Sequence, residues 1–294
     1  MKRLLLVTLL CPALVAAADA LYFDDFSQPD RAALQADGWV LRSGKGFPGV
    51  PGAHWWVEGI GLRDDPAVPG NRLLRLATET DGSNDGTRQA QLCHQRHYLD
   101  GTYAVRIRFT DQPVSGPNGD EVVQTFYTLG AWGEPFYSEF DHEYLPNGGW
   151  GHVGPTLTLN KWESRPFPPG GEPVATSGRV AGSHAGWHTL VLHARAGELR
   201  FFVDGKPAVT HQRNGQPPVL MSMNFNLWFV ADHLAPTRKP RRWEQDVDWV
   251  LHVADQWWST DEVNRHIADW RKAGQKRLDT MQPKPPVPPS LCEL

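Results

Sequence analysis

The stretch Glu139-Phe140-Asp141-His142-Glu143 decides how this chain is interpreted, because it sets three carboxylic acids at alternate positions of a segment that reads as a β-strand. Side chains at positions i, i+2 and i+4 of a strand point to one face of the sheet. The spacing therefore predicts that Glu139, Asp141 and Glu143 share one surface. Like charges held this close resist simultaneous ionisation, so we expect the pKa of at least one carboxyl to be raised.

Two carboxyl groups with separated pKa values suit the hydrolysis of a glycosidic bond. One protonated carboxyl donates to the leaving oxygen, and one ionised carboxyl attacks. The alternative interpretation is a solvated acidic face of a strand. A second acidic group, Glu244, Asp246 and Asp248, precedes Trp249, and we interpret it as the entry of a late strand.

The composition limits the class of protein. The chain has 294 residues and a net charge of −4, which argues against a nucleic-acid partner because such proteins normally carry a basic patch. This length can bury a sizeable core, and we favour one large domain. The 13 tryptophans are more than ordinary usage would supply. Their rings either fill the core or stack on the apolar faces of sugars.

The N-terminus has the pattern of a secretory signal peptide. Residues Met1 to Ala20 combine a basic start at Lys2 and Arg3 with an apolar run and small residues. This pattern predicts cleavage after Ala18 or Ala20. The run is short for a membrane span, and no other stretch is long and apolar enough for one. We therefore expect a secreted or periplasmic protein that is not bound to a membrane.

Two cysteines remain after removal of the signal peptide, Cys93 and Cys292. In an oxidising compartment they are either a disulfide that ties the C-terminal tail to the domain or two unpaired thiols. The tail itself, residues 281–294, is proline-rich and is expected to be extended.

Short runs rich in β-branched and aromatic residues alternate with Gly, Pro, Asn and Asp clusters over residues 21–257, which is typical of antiparallel sheets. Ten such runs and almost no amphipathic helix predict an all-β sandwich of two sheets. The predicted strands are Arg72 to Ala77, Arg88 to Cys93, Gly101 to Thr110, Glu121 to Leu129, Ser138 to Leu145, Thr156 to Trp162, Gly186 to Ala194, Glu198 to Val203, Met221 to Val230 and Gln245 to Ala254.

One helix is predicted within residues 258–280. Ser259 and Glu262 form the capping-box pattern, and apolar residues follow at helical spacing, among them Val263 and Ile267. We expect this helix to run to about Leu278 and to pack on the outside of the sandwich.

The segment from Phe136 to Tyr144 resembles the active-site strand of glycoside hydrolase family 16, whose members have a concanavalin-like β-jelly roll. Its regular E-x-D-x-E spacing, without a bulge residue, is that of the lichenases and the xyloglucan-active enzymes. The similarity covers most of residues 22–256. Further matching segments, in chain order, are Tyr22 to Phe26, Gly101 to Arg106, Gly186 to Leu190, Leu199 to Gly205, Met223 to Trp228 and Val247 to Val250.

The resemblance implies a role for each acid. Glu139 would be the nucleophile, Glu143 the general acid and base, and Asp141 would hydrogen-bond the nucleophile and help to keep Glu143 protonated. A retaining mechanism requires the two catalytic carboxyls to be about 5 to 5.5 Å apart. Positions four residues apart on a strand are roughly 13 Å apart at their Cα atoms, so the side chains must lean together on a concave sheet.

The resemblance also implies a set of sugar-binding residues in a cleft. The expected residues are Tyr127, Trp150, Asn160, Trp162, Asn226 and Trp228. The alternatives are structural hydrogen bonds for the polar members and core packing for the aromatic ones. Gln91 and Cys93 stand where lichenases carry an acid and an arginine, so lichenase specificity is not implied. That position also places Cys93 near the cleft.

The resemblance to family 16 also leads to expectations for His142 and Asp248. His142 occupies a core-facing position that is usually apolar, and we expect a structural histidine with a buried partner rather than a proton shuttle. Asp248 matches an acid that binds a structural Ca²⁺ in some members, with an exposed acid or an ion pair as the alternative. No cofactor is expected to be required.

We therefore expect a secreted, monomeric, retaining endo-β-glycanase whose partner is a polysaccharide, with a β-glucan as the first choice. Mixed-linkage glucan, laminarin, xyloglucan and galactans are all open as the glycan. A non-catalytic lectin-like protein and a polysaccharide lyase on the same fold are the competing hypotheses. Three intact acids argue against the lectin, and the chain has no Gln-x-His strand of the kind that lyases of this architecture carry.

Overall fold

The computed structural model describes residues 20–131, 134–164, 172–281 and 292. The predicted signal peptide up to residue 19 and most of the proline-rich tail lie outside the described residues. No helix in the described part of the chain is long and apolar enough to cross a bilayer.

The described residues form strands for the most part, with two α-helices and one 3-10 turn at Val57–Gly59. The first half contains β1 (Leu21–Asp24), α1 (Arg31–Ala36), β2 (Val40–Leu41), β3 (Gly44–Lys45), β4 (His54–Trp55), β5 (Ile60–Asp64), β6 (Arg72–Thr80), β7 (Arg88–Cys93), β8 (Gly101–Phe109), β9 (Val122–Leu129) and β10 (Ser138–Leu145). The second half contains β11 (Gly148–Gly149), β12 (His152–Val153), β13 (Thr156–Glu163), β14 (Val174–Ala181), β15 (Gly186–Arg195), β16 (Glu198–Val203), β17 (Lys206–Gln212), β18 (Ser222–Phe229), β19 (Arg241–Ala254), α2 (Thr260–Lys272) and β20 (Arg277–Asp279).

The strands pair into two antiparallel layers. The cleft sheet has the order β2-β7-β18-β9-β10-β13-β14. The back sheet runs β17-β16-β15-β8-β19, and the far side of β19 pairs with β6 and with β1. Strand β7 joins the layers, because Arg88 and Gln89 pair with strands of the back layer while Leu92 pairs in the cleft sheet. The predicted all-β sandwich of two sheets is confirmed.

The period of two along each strand separates the core from the cleft. On β10, Phe140 and Tyr144 are buried in the main hydrophobic core between the layers, whereas Glu139, Asp141 and Glu143 face the opposite way. The neighbouring strands alternate in the same register, so the cleft sheet has one apolar face and one polar face.

The predicted strands are confirmed with small changes of boundary. The bounds Arg88–Cys93, Ser138–Leu145 and Glu198–Val203 agree with the prediction, while β19 begins earlier, at Arg241. Strand β14 was not among the predicted strands. It lies at the edge of the cleft sheet and most of its residues are exposed or half-buried, so it lacks the apolar alternation that identifies a strand in sequence.

The C-terminal helix is confirmed, but its predicted end is wrong. The capping box between Ser259 and Glu262 is present, and the helix ends at Lys272 rather than near Leu278. Gly274 follows with φ 76°, a conformation that ends a helix readily. The chain then forms β20, which adds to the edge of β1. The helix itself packs its buried apolar side chains on the outer face of the back sheet.

Cys93 and Cys292 form a disulfide, with Cα atoms 5.6 Å apart. Of the two alternatives that the sequence left open, the structure has the bridge. Cys93 is buried at the end of β7 on the polar face of the cleft sheet, so residue 292 is held against that layer.

Candidate active site

The three acids of β10 lie at the centre of a cleft of about 880 Å³. Strand β10 is paired with β9 on one side and β13 on the other, so its outward side chains have neighbours in both directions. Asp141 lies opposite Tyr127 on β9 and opposite Asn160 on β13. Glu139 and Glu143 are half-buried, while Asp141 is only 4% exposed.

All six predicted sugar-binding residues line the same cleft as the acids. Strand β18 supplies Asn226 and Trp228, β9 supplies Tyr127, β13 supplies Asn160 and Trp162, and the β11–β12 hairpin supplies Trp150. The sequence did not single out the other residues that line the cleft. They are Phe47, Pro48, Thr125, Tyr137, His152, Glu172, Pro173, Ala175 and Ser177.

Glu143 is held through one carboxylate oxygen. Its Oε2 accepts hydrogen bonds from Asn160 Nδ2 at 2.8 Å, from Trp150 Nε1 at 3.0 Å and from Thr158 Oγ1 at 3.3 Å. Burial raises the pKa of Glu143, and so does the charge of Glu139, whereas the three hydrogen bonds lower it. With Oε2 fully engaged, Oε1 is the oxygen left to carry a proton and to meet a ligand.

Glu139 is bonded by two donors of a different kind. The hydroxyl of Tyr137 donates to its Oε2 at 2.5 Å, and the Asp141 carboxyl shares a hydrogen bond with it. Burial raises the pKa of Glu139, and these two bonds lower it. The pKa of Asp141 is raised well above its usual range by burial, by the charges of Glu139 and Glu143, and by the hydrogen bond to Glu139.

These shifts set Asp141 apart from the two glutamates, whose pKa values are both raised to about 7. Three carboxyls this close together cannot all be charged, since each charge raises the pKa of its neighbours. Asp141, the most buried, keeps its proton and donates a hydrogen bond to Glu139. The two glutamates differ in their hydrogen bonds: Glu139 accepts from Tyr137 and Asp141 and is suited to be the carboxylate, while Glu143 is bonded through Oε2, which leaves Oε1 for a proton.

Behind Tyr127 of the cleft lies a buried arginine that the sequence did not suggest. Gln91 Nε2 donates to the Tyr127 hydroxyl at 2.5 Å, and Gln91 Oε1 accepts from Arg42 Nη1 at 2.7 Å. The Arg42 guanidinium lies 4.4 Å from the centre of the Trp55 ring. An arginine therefore lies near this position after all, but it comes from the segment after β2 and lies below the surface. Only tertiary contacts bring it there, so no spacing rule would find it.

Aromatic side chains line the walls of the cleft. Trp150 is 43% exposed and Trp162 is 41% exposed, while Trp228 packs against Trp150 with ring centres 5.9 Å apart. Phe47, which is 71% exposed, extends the lining into the loop between β3 and β4. In the sequence, an aromatic residue within a Gly- and Pro-rich segment is the signal that could have suggested Phe47.

Two buried polar atoms of the cleft have no hydrogen-bond partner among the described residues. Thr125 Oγ1 and Asn226 Oδ1 are both without a hydrogen bond, and the two residues lie opposite each other on β9 and β18. Unpaired buried polar groups are costly, so a hydroxyl group that reached these two atoms would satisfy both.

The expectation of a hydrogen-bonded structural histidine at position 142 is wrong in part. His142 is buried on the core face of β10, and within the described ranges neither ring nitrogen has a partner in good hydrogen-bonding geometry, although an interaction with the Phe126 backbone raises its pKa. Its ring stacks on Phe126 at 5.8 Å and meets Phe201 edge-on at 5.1 Å. Burial lowers the pKa of His142 to about 3, so the ring is neutral and acts as an aromatic core residue. It lies on the face opposite the acids.

The calcium interpretation of Asp248 does not fit its surroundings. The carboxylate accepts hydrogen bonds from Arg271 Nη2 at 2.8 Å and from Asn71 Nδ2 at 2.9 Å, and Arg106 Nε lies 3.5 Å away. No group of three or more His, Cys, Asp or Glu side chains that could hold a metal occurs in the described ranges. Asp248 therefore forms an ion pair, which is the alternative named in the sequence analysis.

Comparison with known proteins identifies the fold. No protein-family model matches the sequence, and no curated protein is similar to it. Solved structures are similar over about four fifths of the chain. The β-glucanase of Bacillus licheniformis has a TM-score of 0.55 at 16% identity and covers 80% of this chain and 99% of its own.

Two further structures extend this similarity. A family 16 glycoside hydrolase of Bacteroides ovatus, in complex with a G4G4G3G product, has a TM-score of 0.59 at 14% identity, covering 78% of this chain and 98% of its own. Porphyranase B from Zobellia galactanivorans has a TM-score of 0.57 at 15% identity, covering 79% and 90%. At these identities the similarity establishes the fold, so the expected concanavalin-like jelly roll is confirmed.

Proposed function

We propose that this chain is a secreted member of glycoside hydrolase family 16, a retaining endo-β-glycanase that hydrolyses a β-linked polysaccharide. One observation supports the proposal most: Glu139 and Glu143 face the same cleft with different hydrogen-bond partners, Glu139 bonded by Tyr137 and Asp141, and Glu143 bonded through Oε2 by side chains of β13 and of the β11–β12 hairpin. Double displacement requires two carboxyls with different roles.

In the first step, the Glu139 carboxylate attacks the anomeric carbon while Glu143 gives its proton to the glycosidic oxygen. The bond from the anomeric carbon to that oxygen breaks, and a glycosyl ester on Glu139 forms. The proton leaves from Oε1 of Glu143, because Oε2 is engaged by Trp150, Thr158 and Asn160. These three donors also stabilise the carboxylate that remains.

In the second step, the ionised Glu143 accepts a proton from water, and the resulting hydroxide oxygen attacks the anomeric carbon. The ester bond breaks and Glu139 returns as a carboxylate. Asp141 keeps its proton throughout. It donates its hydrogen bond to the Glu139 carboxylate before the ester forms and again after the ester is hydrolysed. The configuration at the anomeric carbon is inverted twice and so retained.

The shape of the cleft supports internal cleavage of a polymer. Its lining residues come from β18, β9, β10, β13 and β14, five adjacent strands of one sheet. Four strand spacings of ~4.8 Å give about 19 Å, which is room for roughly four sugar rings. The exposed faces of Trp150 and Trp162 are suited to stack on sugars whose hydroxyls are equatorial. A β-glucan is therefore our proposed substrate, in line with the mixed-linkage glucan named for one structural neighbour.

Secretion is part of the proposal. The N-terminal pattern has the features of a signal peptide, and the disulfide between Cys93 and Cys292 fits an oxidising compartment. Detection of a processed N-terminus in the extracytoplasmic fraction tests it, and a full-length protein retained with its first twenty residues in the cytoplasm contradicts it.

The activity is tested by incubating the protein with mixed-linkage glucan, laminarin, xyloglucan and agarose. We expect reducing ends from at least one glycan, with the β-anomer formed first in the NMR spectrum. The Glu139→Gln variant should lose at least a thousandfold in kcat while keeping its fold. Loss of less than tenfold contradicts the nucleophile assignment. Ends that absorb in the ultraviolet indicate a lyase, and binding without products indicates a lectin.

A further inference from the structure

Tyr137 lies two residues before Glu139 and points to the same face of the cleft sheet. Its hydroxyl donates a hydrogen bond of 2.5 Å to Glu139 Oε2, and the side chain is only 3% exposed. The ring packs in a small cluster with Tyr127 and Leu129. Packing on this scale leaves the phenol little freedom to turn away from Glu139.

The backbone of Tyr137 is held as firmly as its ring. Its N–H donates to Ser164 Oγ at 3.0 Å, and its carbonyl accepts from the Ser164 N–H at 3.0 Å. The same carbonyl accepts from Gln216 Nε2 at 2.7 Å. Both Ser164 and Gln216 are buried, so the position of the phenol is determined by the body of the protein and not by the ligand.

We propose that Tyr137 is a positioning residue for the nucleophile: its hydroxyl holds Oε2 of Glu139, orients the carboxylate toward the cleft and stabilises its ionised form. The inference rests on the proposed function for the role of Glu139. The hydrogen bond itself can be measured without turnover.

The ionisable groups around Glu139 explain why the Tyr137 hydroxyl matters for the charge of that carboxyl. In the described part of the chain, the titratable groups that interact with Glu139 are Asp141 and Glu143 on the same strand, Tyr127 on β9, and Tyr137 itself, all of them acids. Hydrogen bonds from Tyr137 and Asp141 are what oppose the effect of burial on the pKa of Glu139. Burial and the charge of Glu139 raise the pKa of Tyr137 itself, so the phenol stays protonated and remains a donor.

The test is the Tyr137→Phe variant, which keeps the ring and removes the hydroxyl. The titration of the Glu139 side-chain carboxyl is followed by carbon NMR, with the signal assigned by its absence in Glu139→Gln. We expect the midpoint to rise by about one pH unit, because a hydrogen bond to the charged form is lost. On any glycan that the wild type degrades, the acidic limb of kcat/KM should move to higher pH by a similar amount.

A matched control is Tyr22→Phe, which removes a buried phenol that donates to Asp24 at 3.1 Å in the hydrophobic core and does not line the cleft. It should leave both the Glu139 midpoint and the kinetic profile unchanged. If Tyr137→Phe does not fold, the ζ-carbon signal of Tyr137 in the folded wild type should shift as Glu139 titrates and should not shift in Glu139→Gln.

A Glu139 midpoint that is the same in folded Tyr137→Phe and in the wild type overturns the inference. So does a Tyr137 signal that is insensitive to Glu139. Absence of hydrolysis by the wild type is a separate result, which overturns the proposed function through the activity assay alone.

Discussion

Asn160 on β13 donates its side-chain amide to Oε2 of Glu143 on β10 at 2.8 Å, although Asn160 is paired in register with Asp141. The contact is therefore diagonal across the two strands. Ser177 on β14 donates to Asn160 Oδ1 at 2.6 Å, which leaves the amide nitrogen facing Glu143. Three adjacent strands thus determine the orientation of one carboxyl.

Replacing Asn160 with Ala should move the basic limb of the pH profile. Glu143 must be protonated for the first step, so activity is lost as the pH rises through its pKa. The amide favours the ionised form and lowers that pKa, and its removal should raise the pKa and extend activity by about one unit toward alkaline pH. We also expect a lower kcat, since the carboxyl is less well oriented.

The measurement is kcat/KM against pH, with Asn71→Ala as the control, because Asn71 binds Asp248 away from the cleft. A basic limb that stays in place or moves to lower pH in Asn160→Ala would argue against Glu143 as the acid.

Removing the exposed ring of Trp162 should weaken binding more than chemistry. Trp162 lies opposite Glu139 on the neighbouring strand and is 41% exposed on the cleft wall. Trp162→Ala should raise KM for the polysaccharide about tenfold with kcat within about threefold, since one stacking contact is worth about 1 kcal/mol or slightly more. Trp257→Ala, at a tryptophan that is 40% exposed and covered by Arg195 outside the cleft, is the matched control. Equal effects of the two variants would contradict this prediction.

The disulfide should stabilise the fold. The bridge joins residues 199 positions apart, so its loss frees a long loop in the unfolded chain. The double variant Cys93→Ser, Cys292→Ser should lose on the order of 2–5 kcal/mol of unfolding free energy, measured by denaturant titration. A reducing agent should lower the stability of the wild type toward that of the variant and leave the variant unaffected. A stability unchanged by reduction would count against the bridge.

Histidines that are buried and neutral in the folded protein should make its stability fall in acid. The pKa of His142 is about 3 in the folded protein and near 6.5 when unfolded. Below pH 6.5 the unfolded chain binds a proton that the folded chain does not, so this contribution to stability is complete above that pH and falls as the pH drops toward 3. The pKa values of His94 and His252 are also lowered to about 3 by burial, so they act in the same direction.

In His142→Leu we therefore expect a smaller loss of Tm between pH 7 and pH 4.5 than in the wild type. His94 and His252 remain in the variant, so part of the loss should persist. An identical loss of Tm in both proteins would show that His142 is not the group that takes up the proton.

The regular strands were predictable because each has an apolar face that must be buried. The alternation in β8 and β10 identifies both the strand and the side that faces the core. The edge strand β14 has no such face, and β20 is three residues long, so neither was predicted. The end of α2 was misplaced because the apolar residue Leu278 continues the hydrophobic pattern past the glycine that stops the helix.

The sequence by itself determined that three carboxyls share one face of a strand, because a period of two is a local property of an extended chain. It also determined the sandwich class, the capping of α2 and the six cleft residues that a family resemblance could place. Only the tertiary structure decided which groups bond those carboxyls. Arg42, Ser164, Ser177 and Gln216 are far in sequence from the residues that they orient, and hydrogen bonds depend on distance in space rather than on spacing along the chain.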